Sequence, residues 1–567
     1  MATLTLALFS HPLYAATASD ARGVTTITPG ALEDRLAQPA FTTPLAKPKK
    51  ITVPADQQSV PTQAEKIIFT LKAVNITGAP IYSKNALLPF YKQYLGKEIS
   101  LAKLYEIADK ITQKLRQDGY VISKAYIPPQ HISNGEAEIR IIGGYIDEVS
   151  FKGDKVDYDM RFLNAYAQKI LASRPLKLQV LERYALLMND LPGITSRVVL
   201  SPSDTTPDAA HLTFFIAKKA VSGYASYDNR GTLYTGPQEI ALGGSVDTLI
   251  AGGKVGVHTA AATRMEELKY GQLYWDQYIG TDGLQLNVNA SQTISRPKFD
   301  LSDLDIKGVT DTYGAGFNYP LIRNHSVNWF INTNIQGFDT RSVTQFDDSL
   351  LYKDTIRTLS VGTTYNVADR FLGSNSAEFT YTRGLPLFSY THANTPADEP
   401  STRTKGNAVF TKYTLLLSRL QGLPKRFSAL FSVEGQASRD RLLSSQEFNY
   451  GGSQFGLGYD SSELLGDQGA AGRAELRWDS PSFKLIQTQL FTSYDFGAVW
   501  HQEPLNVDEP KRQTGSSIAA GIRLGWTQYF SASLTIARPL TLQLPENIAR
   551  GDSRRPWRGF FTVTLQY

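Results

Sequence analysis

The chain has 567 residues, a net charge of +5 and no cysteine, so disulfide frameworks and thiolate metal sites are excluded. A charge this small and this dispersed gives no footprint for nucleic acid. Tyrosine (29) and phenylalanine (27) far outnumber methionine (4), which suits a strand-rich protein with aromatic girdles better than a helical core.

At the N-terminus, Leu4-Thr-Leu-Ala-Leu-Phe9 and Ala16-Thr17-Ala18 read as the core and cleavage site of a signal segment over 1–18. No Lys or Arg precedes Arg22, which a start codon placed too late would explain. Over 19–65 the sequence predicts a short helix at 28–38, with Thr28 as cap and Pro29 at its first position, then a proline-rich linker. The helix is a candidate barrel plug; a frayed terminus fits the same pattern.

Residues 66–143 predict a β-α-α-β-β unit. Its strands are 67–74, 121–127 and 137–142, and its second helix carries Leu104, Ile107, Ala108, Ile111 and Leu115 on one face. Pro128-Pro129 either blunts a sheet edge or only ends a strand. Residues 144–219 repeat the same order, an internal repeat of about 75 residues.

From about 220 to 567 apolar and polar residues alternate. In Leu284-Gln-Leu-Asn-Val-Asn-Ala290 every second residue is an amide, and in Gly472-Arg-Ala-Glu-Leu-Arg-Trp478 every second residue is charged. One apolar and one wet face is what a strand between lipid and a watery lumen requires. About sixteen such segments predict a membrane all-β domain, a transmembrane β-barrel of even strand number. Short turns such as Arg323-Asn324 mark the periplasmic side, and long polar connections at 297–311, 339–353, 385–405, 439–468, 499–512 and 539–556 mark the outside. The last strand ends on Phe561, Val563, Leu565 and Tyr567, a lipid-facing row ending in an aromatic that predicts the barrel-end signal.

These elements, in this order, resemble the outer-membrane transporters of two-partner secretion, the hemolysin secretion/activation family. In the first unit Asp118-Gly-Tyr-Val-Ile-Ser-Lys-Ala-Tyr-Ile-Pro-Pro-Gln130 and Gly135-Glu-Ala-Glu-Ile-Arg-Ile141 resemble the family's first polypeptide-transport-associated (POTRA) domain. Asn189-Asp-Leu-Pro-Gly193 resembles a turn of the second. Asp228-Asn-Arg-Gly231 with Tyr234-Thr-Gly236 resembles the entry to the barrel. The most specific match is Leu442-Leu-Ser-Ser-Gln-Glu-Phe-Asn-Tyr-Gly-Gly452, with Gly458-Tyr459, Gly466-Asp467, Gly469 and Arg473-Ala-Glu-Leu476 after it. The resemblance implies two POTRA domains and a sixteen-stranded barrel whose long loop 439–468 folds into the lumen.

The family's loop tip is Val-Arg-Gly-Phe/Tyr. Here it reads Gly456-Leu457-Gly458-Tyr459, so leucine replaces the arginine. The acidic partner has its counterpart in lumen-facing Asp495, which is expected to be hydrated or paired elsewhere, with Arg473 and Arg477 as candidates. An apolar tip requires an apolar seat, and Phe491, on the same face as Asp495, is the candidate. Arginine at 457 is then expected to be accepted, returning a cation to Asp495.

The seven histidines have no metal-ligand spacing, and the Gly-Gly pairs are followed by no phosphate-loop helix. The sequence therefore predicts no enzyme, no cofactor and no metal. The resemblance implies export of a large partner exoprotein, adhesin or hemolysin, carrying an N-terminal secretion domain. The other partners implied are the lipid bilayer and the barrel-assembly machinery, with the POTRA domains in the periplasm. An insertase for other barrels, or a solute porin, remains the alternative.

Overall fold

The computed structural model describes residues 60–153, 160–203, 205–206, 208–248, 250–396, 398–481, 485–502, 511–527, 529–541 and 554–567. The signal segment, the candidate plug helix and most of the linker lie outside these residues.

The first unit opens with β1 (Ile68–Leu71) and β2 (Ala73–Gly78). The sequence predicts one strand here. The chain instead divides it, because β1 pairs with β3 (Lys97–Ser100) while β2 runs parallel to β5 (Glu136–Ile142). Helix α1 (Lys84–Tyr91) starts at Ser83 and α2 (Leu101–Gln117) at Ser100. Each serine Oγ accepts a backbone N–H of the first turn, from Ala86 at 3.4 Å and Lys103 at 3.3 Å, satisfying a donor the helix itself cannot. The apolar stripe of α2 packs on Ala125, Ala137, Ile139 and Ile141 of the sheet. Strand β4 (Lys124–Tyr126) is shorter than the sequence predicts. It stops before Pro128-Pro129, and the Gln130 side chain continues the edge: its amide donates to the Glu138 carbonyl at 2.8 Å and accepts the Glu138 N–H at 2.7 Å.

The second unit consists of β6 (Tyr145–Gly153), α3 (Met160–Leu171), α4 (Leu178–Asp190), β7 (Ile194–Pro202) and β8 (Ala209–Lys218). Its sheet order, β6-β8-β7, with the first strand parallel to the last, repeats the β2-β5-β4 arrangement of the first. The repeat is faint in sequence but matches strand for strand in topology. Leu163, Tyr166, Ile170, Leu181 and Met188 from the helices close on Leu212 and Phe214. This unit docks on the barrel rim through Arg323, whose guanidinium donates to both oxygens of Asp190 at 2.8 and 2.6 Å.

The remaining strands close a barrel of sixteen. They are β9 (Val221–Asp228), β10 (Glu239–Asp247), β11 (Gly253–Ala262), β12 (Leu268–Ile279), β13 (Leu284–Ser295), β14 (Ile306–Arg323), β15 (Val327–Thr344), β16 (Leu350–Ala368), β17 (Gly373–Gly384), β18 (Thr411–Gly422), β19 (Phe427–Ser438), β22 (Gln468–Asp479), β23 (Ile486–Trp500), β24 (Arg512–Trp526), β25 (Phe530–Pro539) and β26 (Arg558–Gln566), with short β20 (Phe448–Tyr450) and β21 (Leu464–Gly466) outside the wall. Every segment the alternation predicts is a wall strand. The predicted loops 297–311 and 339–353 need correction, since β14, β15 and β16, which are 18, 18 and 19 residues long, run into them over 306–311, 339–344 and 350–353. At about 3.4 Å per residue and a tilt near 40°, such strands rise on the order of 45 Å, past the ~25 Å apolar band. Hydroxyl pairs such as Thr310–Thr340 at 2.9 Å link the extensions on their buried, inward-facing side.

The closing seam is short. β26 and β9 share five register pairs, against eight for β9–β10 and eight for β25–β26. Tyr567 extends the seam by exchanging backbone hydrogen bonds with Gly223 at 3.0 and 2.8 Å. Phe561 packs against Tyr227 across the same seam, with ring centroids 5.2 Å apart and the rings tilted by 59°. Leu565 and Tyr567 face outward and are exposed; Val563, between them and Phe561, is half-buried on the same face.

Candidate functional site

The chain between β19 and β22 turns inward. Its descending limb ends in β20 and its ascending limb begins with β21, and the two strands pair antiparallel. Phe448, Tyr450, Phe455, Tyr459 and Leu464 from this hairpin pack against Ala471 and Val499 of the wall. The wall is flattened to receive them. A Cβ at Gly469 would lie 1.9 Å from the Phe448 ring, and one at Gly497 would lie 2.2 Å from the Tyr450 ring. Glycines at lumen-facing wall positions thus make room for the loop's aromatics.

Gly456 turns the tip with φ +79°, a conformation that favours glycine. Leu457 follows, 5 % exposed, in a cluster with Phe491, Ala519, Ala537 and Phe560. Gly458 passes so close to β25 that a Cβ there would stand 2.9 Å from the Arg538 carbonyl carbon. Tyr459 is buried and its hydroxyl donates to the Ser516 carbonyl at 2.8 Å. The four tip residues therefore sit together against the far wall.

Asp495 is fully buried beneath the tip. It lies opposite Arg473 on β22, whose Nε is 2.5 Å from Oδ1. Oδ2 accepts the Leu457 N–H at 3.2 Å and the Ser517 hydroxyl at 3.4 Å. The carboxylate thus takes a wall cation on one oxygen and the loop backbone on the other. Arg477 is not brought to the tip, a correction to its candidacy. It sits two same-face positions further along β22, beyond Glu475, and its Nε meets Glu475 at 2.6 Å. Glu475 also holds Arg523, at 2.8 and 3.0 Å, and Arg523 covers the Phe491 ring at 4.0 Å.

Two tip contacts were not singled out from the sequence. Arg230 donates to the Leu457 carbonyl at 3.3 Å while stacking on Phe560 at 3.9 Å. Arg558 donates to the Gly458 carbonyl at 3.2 Å and to Asp460 at 2.5 Å. The signal for Arg230 was present, since it is the arginine of Asp228-Asn-Arg-Gly231. Arg558 precedes the terminal strand pattern and carried none. In this chain the cations lie on the wall and the loop offers carbonyls and a carboxylate.

Glu447, Asp467 and His501 are the group among the described residues with ligand atoms close enough for a metal, within 4.8 Å of one another. Arg403 lies between the two carboxylates, 2.9 Å from Glu447 and 2.6 Å from Asp467, so a guanidinium already serves them. The donor set fits an ion pair rather than a metal centre.

A model of the haemolysin secretion/activation protein family ShlB/FhaC/HecB matches residues 216–524, over half of the chain, and a ShlB-type POTRA model matches 69–144. The chain belongs to the haemolysin secretion/activation family. The heme/hemopexin transporter protein HuxB of Haemophilus influenzae is 25 % identical over 472 residues, covering 82 % of each chain. The outer membrane transporter CdiB of Dickeya dadantii is 22 % identical over 85 % of each. The structure of CdiB from Escherichia coli superposes with a TM-score of 0.70 at 18 % identity, over 98 % of this chain and all of that one. The transporter is therefore an outer-membrane β-barrel of two-partner secretion with periplasmic POTRA domains, and its family implies a secreted partner exoprotein. The family is one of transporters, not enzymes.

Proposed function

We propose that the transporter exports a large adhesin- or hemolysin-type exoprotein through its own lumen, and that the loop 439–468 is the plug that must leave to let the client pass. The observation that carries this reading is the seat of the loop: its tip is packed on Phe491 and Phe560 and bonded to Asp495, Arg230 and Arg558, inside the barrel lumen. The contacts are many but individually modest, as a removable plug requires. Once the plug is out, strand faces such as Ser428, Ser432, Glu434 and Gln436 offer hydroxyls, amides and charge to a hydrated chain. That surface has little to which an unfolded segment would stick.

The POTRA units at 66–143 and 144–219 receive the client's N-terminal secretion domain in the periplasm. Each has an outer edge strand, β2 in the first and β6 in the second, paired on one side in its sheet order. An extended client segment gains backbone hydrogen bonds there with little sequence demand. The barrel-assembly machinery inserts the transporter itself, reading the terminal strand with Phe561, Val563, Leu565 and Tyr567. No nucleotide is needed, because folding of the client outside draws it through.

The experiment is a deletion of 66–143. It should abolish secretion of the partner exoprotein while leaving a heat-modifiable barrel in the outer membrane. Undiminished secretion from that truncation contradicts the capture role.

A further inference from the structure

Arg403 is among the most deeply buried large side chains of the described residues, 1 % exposed, and nothing in the sequence marked it. It belongs to the extracellular connection between β17 and β18 and reaches under the neighbouring plug loop. Its Nη1 donates to the Leu442 carbonyl at 2.7 Å and to Asp467 Oδ1 at 2.6 Å, and its Nη2 donates to Asp467 Oδ2 at 3.2 Å. Glu447 Oε1 lies 2.9 Å from the same Nη1.

Leu442 and Glu447 belong to the descending limb of the plug, and Asp467 ends its ascending limb. One guanidinium therefore ties both limbs together where they enter the lumen. Asp467 is itself fully buried and completes the knot, accepting the Leu442 N–H at 2.7 Å and the Gln502 N–H at 2.8 Å. Thr402, next to Arg403, adds a second tie. It donates to Asp354 on β16 through its hydroxyl, and its Oγ1 accepts the Ser444 N–H at 3.2 Å. Leu442 and Leu443 pack with Ile356, Ala408 and Phe410 around the knot and keep it dry.

We propose that Arg403 is the positioning residue that fixes the plug at its root, so that release of the plug is governed from the extracellular connection 385–410 as well as from the tip. The two anchors differ in kind. The tip is a leucine in an apolar seat beside a partly exposed Arg558–Asp460 pair, whose charges water can take over as the tip withdraws. The root is a forked cation on a buried carboxylate, and separating the two strands a charge away from water. With the root closed, only the stretch between Tyr450 and Leu464 can swing. With Arg403 withdrawn, both limbs lose their common partner and the whole loop can leave. A force on the outer connection, such as a client folding against it, would act on the plug directly.

This inference rests on reading 439–468 as a plug, and it is tested by conductance, which needs no client. The full-length transporter is reconstituted in planar bilayers and the fraction of time in the wide-conductance state is measured. Arg403→Met should raise that fraction by about tenfold or more, as expected for removing one partner of a buried pair. Arg403→Lys keeps the charge but loses the fork, and should fall between that variant and the parent. The double variant Arg403→Met with Asp467→Asn strands one carboxylate, Glu447, instead of two, and should lie closer to the parent than Arg403→Met alone. A heat-modifiable Arg403→Met barrel with the parent's open fraction overturns the proposal, as does a double variant no closer to the parent. If Arg403→Met does not yield a folded barrel, Arg403→Lys and Asp467→Asn are judged by the same open fraction. A plug that opens in these variants while secretion is unchanged would leave the root anchor standing and remove the plug's role in export.

Discussion

Arg473 and Asp495 face each other on one rung of the β22–β23 ladder, with Nε 2.5 Å from Oδ1, so the wall of the barrel supplies the cation that the loop tip lacks. Their burial makes the pair sensitive to the loss of one member. Arg473→Met should destabilise the barrel by about 3–5 kcal/mol because Asp495 is left buried and charged, whereas Arg473→Met with Asp495→Asn should cost less than Arg473→Met alone. Heat-modifiability midpoints of the three variants check the ordering. A double variant that loses as much as the sum of both singles would show that the two residues act separately.

Leu457 contributes packing, not charge. Leu457→Ala should cost the tip about 2–5 kcal/mol and raise single-channel conductance. The sequence alone suggests that arginine would be welcome at 457. The wall argues otherwise: Asp495 already has Arg473, and Arg230 and Arg558 crowd the same carbonyls. Leu457→Arg would bring another cation into an apolar seat, so it too should open the plug. Conductance of Leu457→Arg equal to that of the parent would mean that the seat tolerates charge.

The seam between β26 and β9 has five register pairs and is extended by the Tyr567–Gly223 backbone exchange. Lys219 lies over the Tyr567 ring at 4.7 Å. Tyr567→Asp should impair insertion more than the same change at exposed Trp526, at the end of β24 on the same rim, because only the former strikes the end of the short closing seam. The yield of heat-modifiable barrel in outer-membrane fractions measures it, and equal yields would count against an anchoring role for Tyr567.

At the periplasmic turn between β16 and β17, Asp369 accepts from Arg419 at 2.7 Å and from the Phe371 and Gly373 N–H groups at 2.9 and 2.8 Å. The hydrogen bond from Arg419, then that from Gly373, lowers its carboxyl to about 2. A lowered folded-state value stabilises the turn above the unfolded-state value near 3.8 and loses that stabilisation as pH falls through about 2. Asp369→Asn should therefore lower the heat-modifiability midpoint at neutral pH, with the difference from the parent shrinking as pH is taken down toward about 2. A difference that stays constant over that range would assign the effect to shape rather than charge.

The barrel was legible because lipid imposes a rule on every second residue, and Leu284–Ala290 and Gly472–Trp478 obey it openly. Strand ends were less legible. Thr310, Thr340 and Ser342 are buried on the inner face of strands that run past the apolar band, and polar residues there read in sequence like a polar loop. Within the plug, Leu457 on Phe491 could be anticipated from parity and from one substitution. Arg473 was one of two candidate cations, and the sequence offered no way to choose between residues of equal parity four apart; the register of β22 on β23 makes the choice. Arg403 was not legible at all. Its partners lie 39 and 64 residues away on another loop, and no local pattern records a contact made by two separate excursions of the chain.

The central claim is that the client passes through the lumen once the plug has moved. The direct test is site-specific photo-crosslinking to a stalled exoprotein, with the crosslinker placed at lumen-facing Ser432 or Glu434 and, as control, at lipid-facing Val433 on the same strand. The account expects adducts with the client at 432 and 434 and none at 433. Secretion that proceeds with no lumen adducts, or with adducts at 433 alone, would contradict it.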